Sequence, residues 1–145
     1  MTKSITFALE TKSGWPPVSS ESLQFDVVED GFECRSTPLF VANLSIHDVI
    51  RIDSEQEGQV MKWRHLFCSN HSTVWLLRLS GDPPILTCLE RVRSLQCDTT
   101  RLDELGCYAI DVPPSTSIKD VDDILATLDP ELVAVAFPSM RHRED

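Results

Sequence analysis

One change of hydrophobic period constrains this chain more than any other feature. At Cys68-Ser69-Asn70-His71-Ser72-Thr73-Val74-Trp75-Leu76-Leu77-Arg78-Leu79 a polar knot runs into a segment of β-branched, aromatic and leucine residues. Thr73 to Leu79 is too apolar for a half-exposed strand and too rich in Thr, Val and Trp for a good helix. It reads as a buried central strand with Trp75 in the core. Alternation of period two dominates before it, and helical stripes appear after it.

Upstream, Ile5, Phe7 and Leu9 alternate with polar neighbours as in a half-buried strand, until Gly14-Trp15-Pro16-Pro17 breaks the pattern. Glu21 to Glu29 and Phe32 to Ser36 flank Asp30-Gly31, a dipeptide that supplies positive φ in a tight hairpin, with Leu23, Phe25 and Val27 on one face. The apolar run Leu39 to Ala42 follows Pro38, and Ser45 to Asp48 reads as a turn. Val49 to Asp53 and Gln59 to Phe67 flank Glu57-Gly58, a second hairpin. Residues 3–68 therefore predict about five short strands, a small barrel or curled sheet.

Downstream, Asp82 with Pro83 suits a helix start, and Ile85, Cys88, Leu89, Val92 and Leu95 form one apolar stripe. Polar Asp98 to Leu102 suits an edge strand, and Tyr108 to Val112 a strand stopped by Pro113-Pro114. Ser117 with Asp120 has the spacing of a helix cap, ahead of a second stripe at Ile118, Val121, Ile124, Leu125 and Leu128. Leu132 to Phe137 is a continuous apolar strand, too apolar for an exposed edge, and this edge, or one sheet face near it, is expected to pack against the N-terminal half. The order strand, helix, strand, strand, helix, strand is that of a ferredoxin-like unit. The fold expected is α+β: a β-hairpin module over residues 1–70, a ferredoxin-like βαββαβ module over 71–140 and a flexible tail at 141–145.

Charge and cysteine content narrow the function. A net charge of −10 opposes binding to nucleic acid or an anionic membrane and favours a basic partner. No apolar run reaches the roughly 20 residues that a bilayer requires, and Met1 to Glu10 lacks a signal-peptide core. Five cysteines, an odd number without framework spacing, read as reduced thiols in a cytoplasmic protein.

Catalytic signatures are weak. His65, Cys68 and His71 have a zinc-like spacing, but residues three apart on a strand point to opposite faces, and a fourth ligand is missing. His71-Ser72 are adjacent, which does not give base–nucleophile geometry, and Cys68 beside His71 is no better. There is no phosphate-cradling glycine loop. No catalytic residue, metal or cofactor is assigned. The stronger lead is acidic: nine carboxylates lie between Asp98 and Glu131 against only Arg101 and Lys119. Asp103, Glu104, Asp120, Asp122 and Asp123 are the candidate partner-binding residues, with Trp15 and Trp63 as candidate apolar anchors.

Four motifs carry a resemblance. Gly14-Trp15-Pro16-Pro17-Val18 leads to Glu21-Ser22-Leu23, and Pro38-Leu39-Phe40-Val41-Ala42 leads to Asp48-Val49; His71-Ser72-Thr73-Val74 and Asp111-Val112-Pro113-Pro114 follow. In these the chain resembles the bacterial domain of unknown function 4265 family over nearly its whole length. It departs at Gln24, where the family often has Trp, and at His47, where it often has Gly. The resemblance implies a small bacterial cytosolic protein and brings no catalytic residues. With the acidic charge, it leads to the expectation of an immunity protein that neutralises a toxin domain. The alternative is a regulatory module binding a small ligand between the two halves.

Overall fold

The computed structural model describes residues 1–143 and divides the chain into two compact units, Met1–Ser69 and a second starting at Asn70. It is an α+β protein with two helices and sheets of five and four strands.

In the first unit, β1 (Thr2–Ala8), β2 (Ser20–Val28), β3 (Gly31–Cys34), β4 (Val49–Gln56) and β5 (Gln59–Phe67) bond in chain order, each antiparallel to the next. The sheet closes into a barrel where Phe7 pairs in parallel with Val60. Alternation turns Ile5, Phe7, Leu23, Phe25, Cys34, Ile50 and Val60 inward. Val27, expected on the same face as Leu23 and Phe25, is exposed at the end of β2. The Glu57-Gly58 turn has both residues at positive φ, as its hairpin predicts. At the other hairpin only Asp30 does; Gly31 serves close approach, since a Cβ there would lie 2.5 Å from the Ile50 carbonyl oxygen.

Leu39 to Ala42 form a connection and not a strand, because a side chain supplies the hydrogen bonds that a ladder would. The Glu21 carboxylate accepts the backbone N–H groups of Leu39 (2.7 Å), Phe40 (2.9 Å) and Val41 (2.9 Å). With its backbone so held, the connection sends Val41 and Leu44 into the barrel core. The turn at Ser45 to Asp48 forms as expected, with Asp48 N–H donating to the Ser45 carbonyl. His47 sits in it at φ +71°. That left-handed conformation suits the glycine of the resembled family; here the His47 ring also meets Glu33 at 3.0 Å.

In the second unit β6 (Ser72–Arg78), α1 (Ile85–Arg93), β7 (Asp98–Leu102), β8 (Cys107–Val112), α2 (Ile118–Leu125) and β9 (Val133–Ser139) follow one another, with a 3-10 turn over Asp103–Leu105. The sheet order is β7-β8-β6-β9, antiparallel throughout. Val74 and Leu76 of β6 and Tyr108, Ile110 and Val112 of β8 meet both helices in one core. Trp75 therefore does not fill this core: it alternates onto the opposite face and is half-buried. α1 begins at Ile85, later than Asp82 and Pro83 suggest. Pro84 disfavours helical backbone at Pro83, so the helix starts only after the pair. α2 matches its expected cap, with the Ser117 hydroxyl accepting Asp120 N–H. β9 is an edge strand as the order requires, but Ala134 to Phe137 are exposed, against the expectation of burial.

Of the segment 141–145 expected as a tail, Arg141 and His142 hydrogen-bond to Ser72; residues 144–145 lie outside the described ones. Cys34, Cys88, Cys97 and Cys107 are buried thiols, and Cys68 is exposed. No helix among the described residues is long and apolar enough to cross a membrane.

Two outcomes follow from this packing. Leu76→Ala should cost about 2–5 kcal/mol, read from denaturant midpoints, because it opens a cavity in the core. Val135→Ala, its exposed partner across the ladder, should stay within about 0.5 kcal/mol. Burial also holds the Glu21 carboxyl above its ordinary value, against the three N–H donors that lower it. The native state thus binds this proton more tightly than the unfolded chain. Its contribution is fully present below the ordinary pKa and is lost as pH rises through the folded one. Glu21→Gln should flatten that slope in midpoints taken from about pH 4 to 7. It should also destabilise by about 1–3 kcal/mol, since its amide NH2 would face a backbone N–H.

Candidate functional site

Helix α2 carries three exposed aspartates within one turn and a half. Ile118, Val121, Ile124 and Leu125 are buried, so the spacing of a helix turns Asp120, Asp122 and Asp123 outward, and all three are exposed. Asp120 lies in the first turn, where the helix dipole favours a negative charge. Asp129 follows, its carboxylate accepting Glu131 N–H at 2.9 Å, and both residues are exposed.

The other two candidate carboxylates stand apart. Asp103 and Glu104 precede β8 and α2 follows it, so the five residues group as three and two at opposite ends of that strand. Asp103 is also partly neutralised. Arg101 donates to its Oδ2 from Nη2 at 2.7 Å and Nε at 3.0 Å, which holds the Asp103 carboxyl below its usual range. Asp111, one of the nine carboxylates counted from the sequence, is buried and bonded to His71 Nδ1 at 3.0 Å. It belongs to the structural interior and not to the surface.

The two tryptophans lie in the first unit. Trp15 is exposed, edge-on to Phe40 with ring centres 6.0 Å apart. Trp63 packs edge-on against Phe7 and His65, with centres 6.2 and 5.0 Å away. Trp63, Phe7, Pro16, Phe40 and Val60 line a hollow of about 220 Å³. Trp63 is a wall of the barrel, and Trp15 the more available of the two.

His65 and His71 are each held by a buried carboxylate, and Cys68 is exposed. His65 Nε2 bonds the buried Asp48 at 2.8 Å, and Asp48 also accepts the N–H groups of Ser45 (2.9 Å) and Ser69 (2.8 Å). His71 is held by Asp111. No group of three metal-ligating side chains occurs among the described residues.

A Ser–His pair does exist, though with a different histidine. Ser72 Oγ lies 2.6 Å from His142 Nδ1, and His142 Nε2 lies 2.9 Å from the Pro113 carbonyl oxygen. A carbonyl only accepts, so Nε2 carries the proton and Nδ1 accepts from the Ser72 hydroxyl. That is the polarity of a nucleophile and its base, between residues 70 apart in the chain. But the Ser72 oxygen also accepts the N–H groups of Arg141 (2.7 Å) and His142 (3.1 Å), and the residue is 0% exposed. With its lone pairs engaged and no solvent access, this serine is a latch for the C-terminal segment. His142, Arg143, Lys119, Asp122 and Ser115 line a hollow of about 610 Å³ beside it.

Ser72→Ala should cost about 1–3 kcal/mol, since it strands two backbone donors. Hydrogen exchange should accelerate at Arg141 and His142.

A family model described as Domain of unknown function (DUF4265) matches residues 21–135. A solved structure of a hypothetical protein from Neisseria gonorrhoeae superposes with a TM-score of 0.71 at 16% sequence identity, covering 98% of this chain and 96% of that one. At that identity the likeness is one of fold. No functionally curated protein matches.

Proposed function

The chain belongs to the DUF4265 family, and on that premise we propose that it is a non-enzymatic binding protein. Its partner is a basic protein, and its role that of an immunity protein neutralising a toxin domain in the cytoplasm. The observation that carries the reading is the outward face of α2, where Asp120, Asp122 and Asp123 are exposed. In sequence, Lys119 is the last Lys or Arg before Arg141, and although Lys119 and Arg143 share a hollow with Asp122, carboxylates outnumber cations along this stretch. Such a surface accelerates encounter with a positive partner and disfavours phosphate backbones. A neutralising protein needs a complementary surface and no chemistry, which accords with the saturated Ser72. The thiols, all free, accord with a reducing compartment.

We read the second unit as ferredoxin-like. α1 carries the chain from β6 to β7 and α2 from β8 to β9, while β8 lies between β6 and β7. That interleaving is what a split βαβ arrangement requires.

The test begins with affinity purification from the native host, which identifies the bound protein. Association with it is then followed for wild type and for D120N/D122N/D123N. The variant should fold normally and associate about tenfold more slowly at low salt. The gap should close as the Debye length shrinks from about 10 Å at 0.1 M to about 3 Å at 1 M salt. Equal rates, or full protection of toxin-expressing cells by the variant, would reduce this face to solvated charge.

A further inference from the structure

The two edges of the second sheet are built differently. β7 carries Asp98 and Arg101, both exposed, and charges of this kind discourage the addition of a further strand. β9, Val-Ala-Val-Ala-Phe-Pro-Ser, has no charge, pairs among the described residues only with β6, and exposes four consecutive residues, Ala134 to Phe137. Val135 and Phe137 are 38% and 43% exposed, and Met140 beyond them 37%. Val133 N–H is already bonded to the Asp129 carbonyl at 3.0 Å, and Pro138, with a register shift opposite it, closes the other end, which leaves Ala134 to Phe137 as the open run. An uncharged apolar edge is a template for another strand.

Beside that edge lies a groove of about 500 Å³ between the end of α2 and β9, lined by Leu125, Leu128, Pro130, Val133 and Val135. Its surroundings are acidic. From Asp120 to Met140 the chain has five carboxylates and no Lys or Arg; Asp129 and Glu131 flank the groove-lining Pro130, and both are exposed. An apolar slot with an acidic rim, next to a free row of backbone donors and acceptors, is complementary to an extended segment with apolar and basic residues in alternation.

Resting on the acidic-partner reading above, we infer that β9 takes an extended segment of the basic partner as a fifth strand of the sheet. One apolar side chain of that segment enters the groove, and its Lys or Arg neighbours meet Asp129 and Glu131. Main-chain bonds hold the segment, the groove selects its side chain, and the α2 carboxylates speed its arrival. A second copy of this chain fits less well, because it would bring the same carboxylates against this rim in a protein of net charge −10.

The probe is a synthetic peptide of alternating Lys and Val with a central Leu, added to the full isotope-labelled chain. Amide signals of Ala134 to Phe137 should shift, and hydrogen exchange should slow within that run. The same peptide N-methylated on alternate amides keeps every charge and side chain but cannot pair, and should bind about tenfold more weakly or less. Val135→Lys, which puts a charge on the edge, should weaken the parent peptide as much while the melting temperature is kept. Equal binding by the methylated peptide, or shifts confined to α2, would overturn strand addition and leave the acidic face standing. Shifts at β9 that D120N/D122N/D123N does not weaken at low salt would support strand addition while overturning the role of α2. A concentration-dependent dimer abolished by Val135→Lys would place a second copy on the edge and overturn the inference.

Discussion

A buried peptide N–H must bond to something, and the connection from β3 to β4 has no ladder to bond to. It plugs the barrel core with Val41 and Leu44, so its backbone is drawn inward with them. Two carboxylates resolve the conflict. Glu21 accepts three consecutive N–H groups from the connection's middle, and Asp48 accepts Ser45 N–H at its end while tying in Ser69 and His65. An ionised carboxylate has room for about four such bonds, which no uncharged side chain matches. Without these anions the apolar run at Leu39 to Ala42 would leave donors stranded beside the core. The first unit is thus a hydrophobic barrel whose closure depends on buried charge.

The same division runs through the second unit. Asp111 is an interior acceptor for His71, whereas Asp120, Asp122 and Asp123 face solvent on a helix whose other side is packed. Carboxylates of one composition thereby perform two unrelated tasks. Those inside satisfy hydrogen bonds and are insensitive to what the solvent contains. Those outside act at a distance, and their influence is set by ionic strength. A net charge of −10 describes neither task until the two sets are separated.

Local patterns were legible in the sequence, and long-range partnerships were not. Strand alternation, the Glu57-Gly58 turn and the Ser117 cap each depend on a few adjacent residues, and they appear as read. The face of β6 was not readable, because Ser72 to Leu77 are apolar or uncharged on both sides and period two cannot say which side meets the helices. Trp75 reads as a core residue because the whole segment Thr73 to Leu79 is apolar enough for a buried strand. The run at Leu39 to Ala42 has a strand's composition, and only Glu21, some twenty residues away, makes it a connection. For the candidate site, the outward aspartates of α2 were visible from helical spacing. The burial of Asp111 and the pairing of Ser72 with His142 needed contacts 40 and 70 residues apart. The apolar character of β9 was visible too, but composition favours burial and cannot reveal an edge left open.

The burial of the cysteines gives the chain one reactive thiol among five. Desolvation raises Cys88 and Cys107 above their ordinary values and pushes Cys97 up to about 12, with Asp111 and Asp98 adding to it. Cys34 is enclosed and donates to the Ser36 carbonyl. Alkylating and oxidising reagents attack the thiolate, so Cys88, Cys97 and Cys107 are shielded both by access and by protonation, and Cys34 by burial. Cys68, exposed one residue before the first unit ends, is left as a natural attachment point. A fluorophore or spin label placed there needs no engineered cysteine and leaves the acidic helix and the open strand untouched.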